Sequence, residues 1–407
     1  MSNLIRASLV EAANKPTETL LALYGKLGMG SHINDYLMGR SAFDLFGSEA
    51  GFLNRTSAIP TIPGMRGTTV DGQNINEIWN EMQMMLQAFN ASASEVVANL
   101  TFDTMKANEK VGVPTSPGFQ KATEFGRPSK VRVTYVSRGF PLDHYDLGDG
   151  YTQEFIDGSN GAQILAVQAT ILNSWETLRR ELVLAALFGN TNYSDKDGVA
   201  VKRLYNADGE VPPKIKRWTH DGTHTHYLTS AGASLVVADL DTLADHLIHH
   251  GFKEYGDATF ILHAHRDDLQ TIRGFTGYVP AASATVVSEL ANSGVIRGRQ
   301  GGAGALNVEG YIGEWTVVQN NDIESGYLLG QVSGGPFDVR NVVGMRRHDN
   351  PSVSGQLRLV EGPRQNYPLY DSVYDGYVGA GVGQRGAAVV MQITAGAYSV
   401  PTFATGE

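Results

Sequence analysis

Eight of the 11 histidines fall into three short groups: His220, His224 and His226; His246, His249 and His250; His263 and His265. Imidazole binds divalent transition metals and changes charge near neutral pH, so such groups are where metal or acid–base chemistry would sit. His263-Ala264-His265 directly follows an apolar strand pattern. Strand-end imidazoles of this kind hold a catalytic divalent cation in (β/α)8 barrels, which would make the chain a metal-dependent hydrolase. That barrel takes about 250 residues. Only 142 residues follow His265, and they read mostly as strands. His246, His249 and His250 stand at i, i+3 and i+4 on a helical pattern, a spacing that permits a metal and equally suits a solvated face. The expectation is that all eight are structural or surface residues, with no catalytic, cofactor-binding or metal site.

Other candidate motifs fare no better. Gly381-Val382-Gly383-Gln384-Arg385-Gly386 matches the dinucleotide fingerprint in form. That chemistry needs a strand before the glycines, a helix after them and an acidic residue about twenty positions on. Here residues 387–393 alternate like a strand and the sequence stops 21 residues after Gly386, so the segment reads as a bend entering a final strand. Gly301-Gly302-Ala303-Gly304 lacks the Lys-Ser/Thr of a phosphate-cradling loop. No Gly-x-Ser-x-Gly elbow occurs, and with no cysteine in the chain there is no thiolate nucleophile, thiolate metal site or disulfide,.

The strongest signal lies in the elements that would position side chains rather than in the side chains themselves. Residues 159–188 predict one long helix, opening on Asp157-Gly158-Ser159-Asn160 as capping candidates and closing on Gly189-Asn190 as a left-handed exit,. It would span roughly 45 Å at 1.5 Å per residue. Ile164, Ile171, Leu178 and Ala185 recur every seven residues, interleaved with Val167, Trp175 and Leu182,. Upstream, residues 104–140 read as a hairpin arm in which Val131, Val133 and Tyr135 alternate with Arg132 and Thr134, the period of a half-exposed strand,. The arm carries Lys106, Lys110, Lys121, Arg127, Lys130, Arg132 and Arg138 against Glu109 and Glu124, a net of +5 in a chain of net −10. An isolated two-stranded hairpin is marginal in water, so the arm is expected to rest on another, acidic surface.

These features resemble the major capsid proteins of tailed bacteriophages, which share the HK-ninety-seven-like fold. The resemblance is carried by Gly118-Phe119-Gln120-Lys121-Ala122-Thr123-Glu124 in the arm and by Tyr151-Thr152-Gln153-Glu154-Phe155-Ile156 leading into the long helix. Further on it is carried by the strand–helix module 257–273, and by the ending 368–393, where Tyr- and Gly-rich turns precede Val389-Val390-Met391-Gln392-Ile393. It runs in order over residues 100–395. It implies an α+β HK-ninety-seven-like capsid fold: an N-terminal arm and linker at 1–100, an extended E-loop hairpin at 101–152, and a peripheral domain with the spine helix at 153–219. An axial α/β domain at 220–340, peripheral return strands at 341–375 and a C-terminal strand and tail at 376–407 complete it. The implied function is structural and not enzymatic: hexamers and pentamers tiling an icosahedral virion capsid around double-stranded DNA. The implied partners are further copies of the chain, a scaffolding protein, a portal and decoration proteins, with DNA held without sequence specificity and assembly in the host cytoplasm. An encapsulin-type compartment shell is the alternative within the fold. Some such capsids crosslink an E-loop lysine to a neighbour's asparagine; Lys106, Lys110, Lys121, Lys130, Asn341, Asn350 and Asn366 match that motif at no single position, so no crosslink site is nominated.

Composition agrees. At 407 residues the chain suggests two or three lobes, and 42% hydrophobic content suffices for real cores,. No apolar run of 18 residues occurs and no basic-then-apolar leader opens the sequence, so no membrane partner is expected. The excess of 42 acidic over 32 basic residues argues against a general nucleic-acid binder,. Along the chain, helices are expected at 17–27, 31–46, 74–89, 240–250 and from Arg266, with a Pro/Gly/Thr-rich linker at 56–72 and a polar connection at 191–219. Strands are expected at 258–262, 311–318, 327–332, 338–345, 356–360 and 387–393. With about 56 residues before the linker, a retained N-terminal arm and a separate scaffold are expected.

Overall fold

The computed structural model of the chain describes residues 69–91, 95–115, 121, 130–214, 218–230, 232–252, 259–281, 308–351, 353–354, 356–366 and 369–404. The expected helices at 17–27 and 31–46, most of the 56–72 linker, the arm segment 118–124 apart from Lys121, and the glycine-rich 301–304 loop lie outside the described residues.

Helix α1 (Ile75–Ala91) forms where the periodicity expects it, with Ile78, Met82, Met85, Leu86 and Phe89 buried along one side,. Helix α2 (Glu95–Leu100) leads into β1 (Thr101–Thr104). The chain then leaves the body as an antiparallel hairpin, β2 (Asn108–Thr115) and β3 (Arg132–Gly139), in register from Asn108 opposite Gly139 to Thr115 opposite Arg132. It returns as β4 (Asp143–Thr152).

A short helix α3 (Gln153–Gly158), capped by Thr152 Oγ1 accepting from the Phe155 N–H, precedes the long helix α4 (Gly161–Phe188). Asn160 Oδ1 accepts from the Gln163 N–H and Gln163 Oε1 from the Asn160 N–H, each at 3.0 Å. This reciprocal cap starts α4 later than the periodicity alone suggested. The exit also differs from expectation: Gly189 has φ −66° and ψ 131°, extended rather than left-handed, with its N–H bonded to Ala185 O. The buried side of α4 runs through Ile164, Leu165, Gln168, Leu172 and Trp175, then Val183, Leu184, Leu187 and Phe188. The expected seven-residue line leaves that side, so Leu178, Leu182 and Ala185 are only half-buried. A straight helix turns every 3.6 residues, and a strict heptad drifts about 20° per repeat.

After α4 come the ribbon β5 (Tyr193–Ser194) and β6 (Ala200–Val201), then β7 (Tyr227–Thr229), α5 (Val237–His249), β8 (Thr259–Ala264), α6 (Arg266–Arg273) and β9 (Val279–Pro280). The remaining strands are β10 (Val308–Ile312), β11 (Trp315–Gln319), β12 (Tyr327–Ser333), β13 (Val343–Arg346), β14 (Arg358–Asn366), β15 (Leu369–Val382) and β16 (Ala388–Gln392). The single strand expected at 311–318 is a hairpin, β10 and β11, turned at Gly313 with φ +53°, a left-handed conformation that glycine adopts without steric cost.

Two sheets organise the body. One has the order β7-β16-β12-β8-β11-β10-β9 and is overlaid by α5, where Trp315 Nε1 of β11 donates to Leu240 O at 3.0 Å. The other has β1, β13, β15 and β14 in order, with β4 also paired to β15. The Tyr- and Gly-rich ending forms the long strand β15 rather than turns, and α4 lies on it. A Cβ at Gly376 would sit 2.4 Å from Trp175 Cη2, so the missing side chain is what lets helix and strand approach. The first half of α4 packs with α1, Tyr151, Ile156 and Tyr370 in one core. From Ile171 onward α4 enters the main core, which takes in residues of both sheets. Leu172 is fully buried in that core, and Leu172→Ala is expected to cost about 2–5 kcal/mol of subunit stability in denaturant unfolding. Half-buried Leu178→Ala should cost distinctly less, and equal losses at the two positions would contradict the assigned face.

Candidate functional site

The structure brings together histidines that the sequence reading kept apart. β7 pairs parallel with β16, and this places His226, one residue before β7, so that its Nδ1 lies 2.6 Å from Ala388 O. A carbonyl only accepts, so Nδ1 carries the proton and Nε2 is a bare lone pair. That Nε2 lies 3.0 Å from His224 Nε2 and 2.8 Å from His250 Nε2, and the latter two are 3.0 Å apart. The three ring centroids are 4.7–5.1 Å apart, so the rings converge on their Nε2 edges. His224 and His226 stand at i, i+2 on an extended segment, and His246 and His250 at i, i+4 across the end of α5. Nitrogens of His224, His226 and His246 lie within 4.8 Å of one another, as do those of His220, His224 and His250.

His226 is fully buried and His250 nearly so, so His250 does not lie on the solvated face that its helical spacing also allowed. Burial, reinforced for most of them by the neighbouring rings, pushes His224 down to about 4 and His220, His226, His246 and His250 below their ordinary value. These shifts favour the uncharged imidazole, the form that ligates metals. His220 stacks on His250 with centroids 4.6 Å apart and rings 1° from parallel, and Tyr205 stacks on His250 at 5.7 Å.

His263 and His265, the pair that most resembled a catalytic motif, do not converge. His263 is buried in β8 with Nε2 3.0 Å from Gln331 Nε2, and burial lowers it to about 4. His265 caps α6, its Nδ1 accepting from the Asp267 N–H. Of the Gly381–Gly386 segment, Gly381 and Val382 end β15 and the rest bends into β16, a strand as the alternation of 387–393 suggested.

What that segment hides is Arg385, which is fully buried. Its Nε donates to Arg203 O (2.7 Å), Nη1 to Glu210 (2.9 Å), and Nη2 to Leu204 O (3.1 Å) and Asp208 (2.5 Å), while the guanidinium lies 4.5 Å over Tyr205. A single arginine thus ties the loop after β6 to the turn before β16. Beside it opens a cleft of about 570 Å³ whose lining includes Arg138, Tyr205, His250 and Arg385.

The hairpin β2–β3 is the second candidate surface. Val131, Val133 and Tyr135 are 58%, 51% and 72% exposed, so the apolar side of β3 is uncovered within the described residues of the subunit. Lys106 pairs with Glu109, whereas Arg138, at the arm's base, turns into the cleft and is held below its ordinary pKa by burial.

Fold and surfaces together define an assembly subunit: a two-sheet body on one long helix, with an apolar and basic hairpin projecting from it. No protein-family model and no curated protein matches the chain. Among solved structures it is similar to a chain of Mycobacterium phage Patience, at 31% identity and a TM-score of 0.63, over 83% of this chain and 94% of that one. It is also similar to the capsid of the native GTA particle, at 13% identity and a TM-score of 0.44, over 74% and 91% of the two chains. A third is an encapsulin complex from Synechococcus elongatus, at 13% identity and a TM-score of 0.38, over 74% and 87%. The chain belongs to the tailed-bacteriophage major capsid proteins of the HK-ninety-seven-like fold, and is a structural, self-assembling subunit of the virion capsid. No helix among the described residues is long and apolar enough to cross a membrane.

Proposed function

We propose that many copies of this chain, as hexamers and pentamers, close an icosahedral shell around double-stranded DNA. The observation that carries this reading is the 31% identity maintained over 94% of the phage chain. The exposed arm supports it: an apolar strand face with a basic surplus is stable in water only when it is covered, and a symmetric shell supplies a neighbour for every arm. In this reading β2–β3 is the E-loop and α4 the spine helix. The five-stranded sheet belongs to the peripheral domain and the seven-stranded sheet to the axial domain, with residues 1–100 as N-terminal arm and linker. A separate scaffolding protein, a portal and decoration proteins would complete assembly in the host cytoplasm. The overall net charge of −10 suits a wall that must not bind packaged DNA tightly, because phosphate adhesion needs basic surface.

Electron microscopy of the expressed chain is expected to show closed shells, tubes or capsomers. Particles from producing cells should hold nuclease-protected double-stranded DNA. Shells that carry protein cargo and no DNA would instead mark a compartment of the encapsulin type, and a chain that stays monomeric with and without a scaffold would defeat the proposal.

A further inference from the structure

We propose that His224, His226 and His250 form a structural metal site of the zinc class, with His246 in the fourth position, which staples the segment before β7 to the end of α5. The inference does not depend on what the assembled particle contains.

Hydrogen bonding among the three rings cannot account for their arrangement. His226 Nε2 is bare because its Nδ1–H is committed to Ala388 O. For the 3.0 and 2.8 Å approaches to His226 to be hydrogen bonds, both His224 and His250 must carry their proton on Nε2. Those two N–H groups would then face each other at 3.0 Å with no acceptor between them. If either gives up that proton, two lone pairs face each other instead. In every assignment of protons to neutral rings, one of the three contacts is repulsive. A cation at the centre removes the conflict, because all three nitrogens then present lone pairs to it.

The dimensions agree with this. Zinc binds imidazole nitrogen at about 2.0–2.1 Å, which places tetrahedral ligand atoms about 3.3 Å apart. The observed triangle of 2.8–3.0 Å is a slightly contracted version of one face of that tetrahedron. The anchoring of His226 Nδ1 to a backbone carbonyl is the outer-shell partner that metal-bound histidines commonly have. His246 is the candidate for the fourth position: a nitrogen of it lies within 4.8 Å of those of His224 and His226, and its buried Nδ1 has no hydrogen-bond partner among the described residues. His220 is the weaker candidate, because it lies flat on the face of His250 and points Nε2 at His249 O. An all-imidazole set without thiolate or carboxylate favours zinc and its transition-metal neighbours over magnesium or calcium. With His246 as fourth ligand the site has no open position, which makes it a structural site rather than a catalytic one.

The test uses the untagged full-length chain in whichever assembled form it is purified. The chain is stripped with a chelator, dialysed against zinc, freed of loose ions by gel filtration, and its metal counted by mass spectrometry. Near-stoichiometric zinc is expected, one ion per chain. Cobalt in its place should give the intense visible absorption of a tetrahedral ion, and zinc should raise the melting temperature of the stripped protein. His224→Gln combined with His226→Gln should lose the ion and the zinc-dependent melting shift, while His263→Gln with His265→Gln should keep both. A wild-type chain that retains no stoichiometric zinc or cobalt overturns the proposal, and this reading needs no variant to fold. Stoichiometric zinc that survives the His224/His226 double substitution overturns it as well, since the ion would then be elsewhere.

Discussion

Arg385→Met is expected to destabilise the subunit by about 3 kcal/mol, near the lower end of the roughly 3–5 kcal/mol for breaking a buried ion pair from one side. The lower end applies because Asp208 and Glu210 keep 18% and 13% exposure, whereas Arg385 has none. Methionine fills much of the same volume but removes the donors to Arg203 O and Leu204 O and the cation facing the two carboxylates, of which Asp208 keeps only uncharged donors such as Asn192. Glu210 retains Lys202 as a partner, so Asp208 bears most of the loss. Urea unfolding at neutral pH measures this directly, and a loss below about 1 kcal/mol would show that the network is worth no more than a surface pair.

The same pair has a pH signature. Burial raises the Asp208 carboxyl, but hydrogen bonds from Arg385 and Asn192 outweigh it and hold the group below its ordinary 3.8. A carboxyl depressed in the folded state stabilises the fold above its unfolded pKa, and that contribution fades as pH falls through the folded value. The wild-type subunit should therefore lose this contribution below about pH 4. Arg385→Met, which lacks the arginine's share of it and keeps the Asn192 bond, should show a shallower acid slope over that range.

Reversing Lys121, Arg127, Lys130 and Arg132 together to Glu is expected to abolish shell closure while leaving the subunit folded. Arg138 is left in place because it lines the cleft at the arm's base. A single exposed ion pair contributes about 0–1 kcal/mol, so one substitution should change little. Four reversals move the arm's net charge from +5 to −3, which turns attraction to an acidic neighbour into repulsion. The fold should survive because, among the described residues, β2 pairs only with β3, and Val133 and Tyr135 of β3 are exposed rather than buried in the core. Circular dichroism reads the fold and sedimentation reads the assembly. Normal shells at low salt, where the screening length exceeds about 10 Å, would show that charge does not guide the arm. An unfolded subunit would show that the arm belongs to the core.

Local interactions made part of this protein legible in its sequence. The buried side of α1 followed from Ile75, Ile78, Met82, Met85 and Phe89, because helical periodicity depends only on neighbours one turn away. The capping candidates before α4 included Asn160, and the alternation after Gly386 marked β16 as a strand. Element order over most of the chain carried the family. Closure over long sequence distances was decided only by the tertiary structure. The i, i+2 spacing of His224 and His226 and the i, i+4 spacing of His246 and His250 were visible, but nothing local says that two segments twenty residues apart share one point. That follows from the parallel pairing of β7 with β16 and from the seat of α5 on the sheet. Arg385 sat unnoticed in a glycine-rich bend because its partners at 203–210 lie more than 170 residues away. The need for glycine at 376 is not visible locally, because Trp175, the side chain that packs against it, belongs to another element. Short-range preferences choose the elements; which side chains meet depends on how those elements pack, and packing is a property of the whole chain.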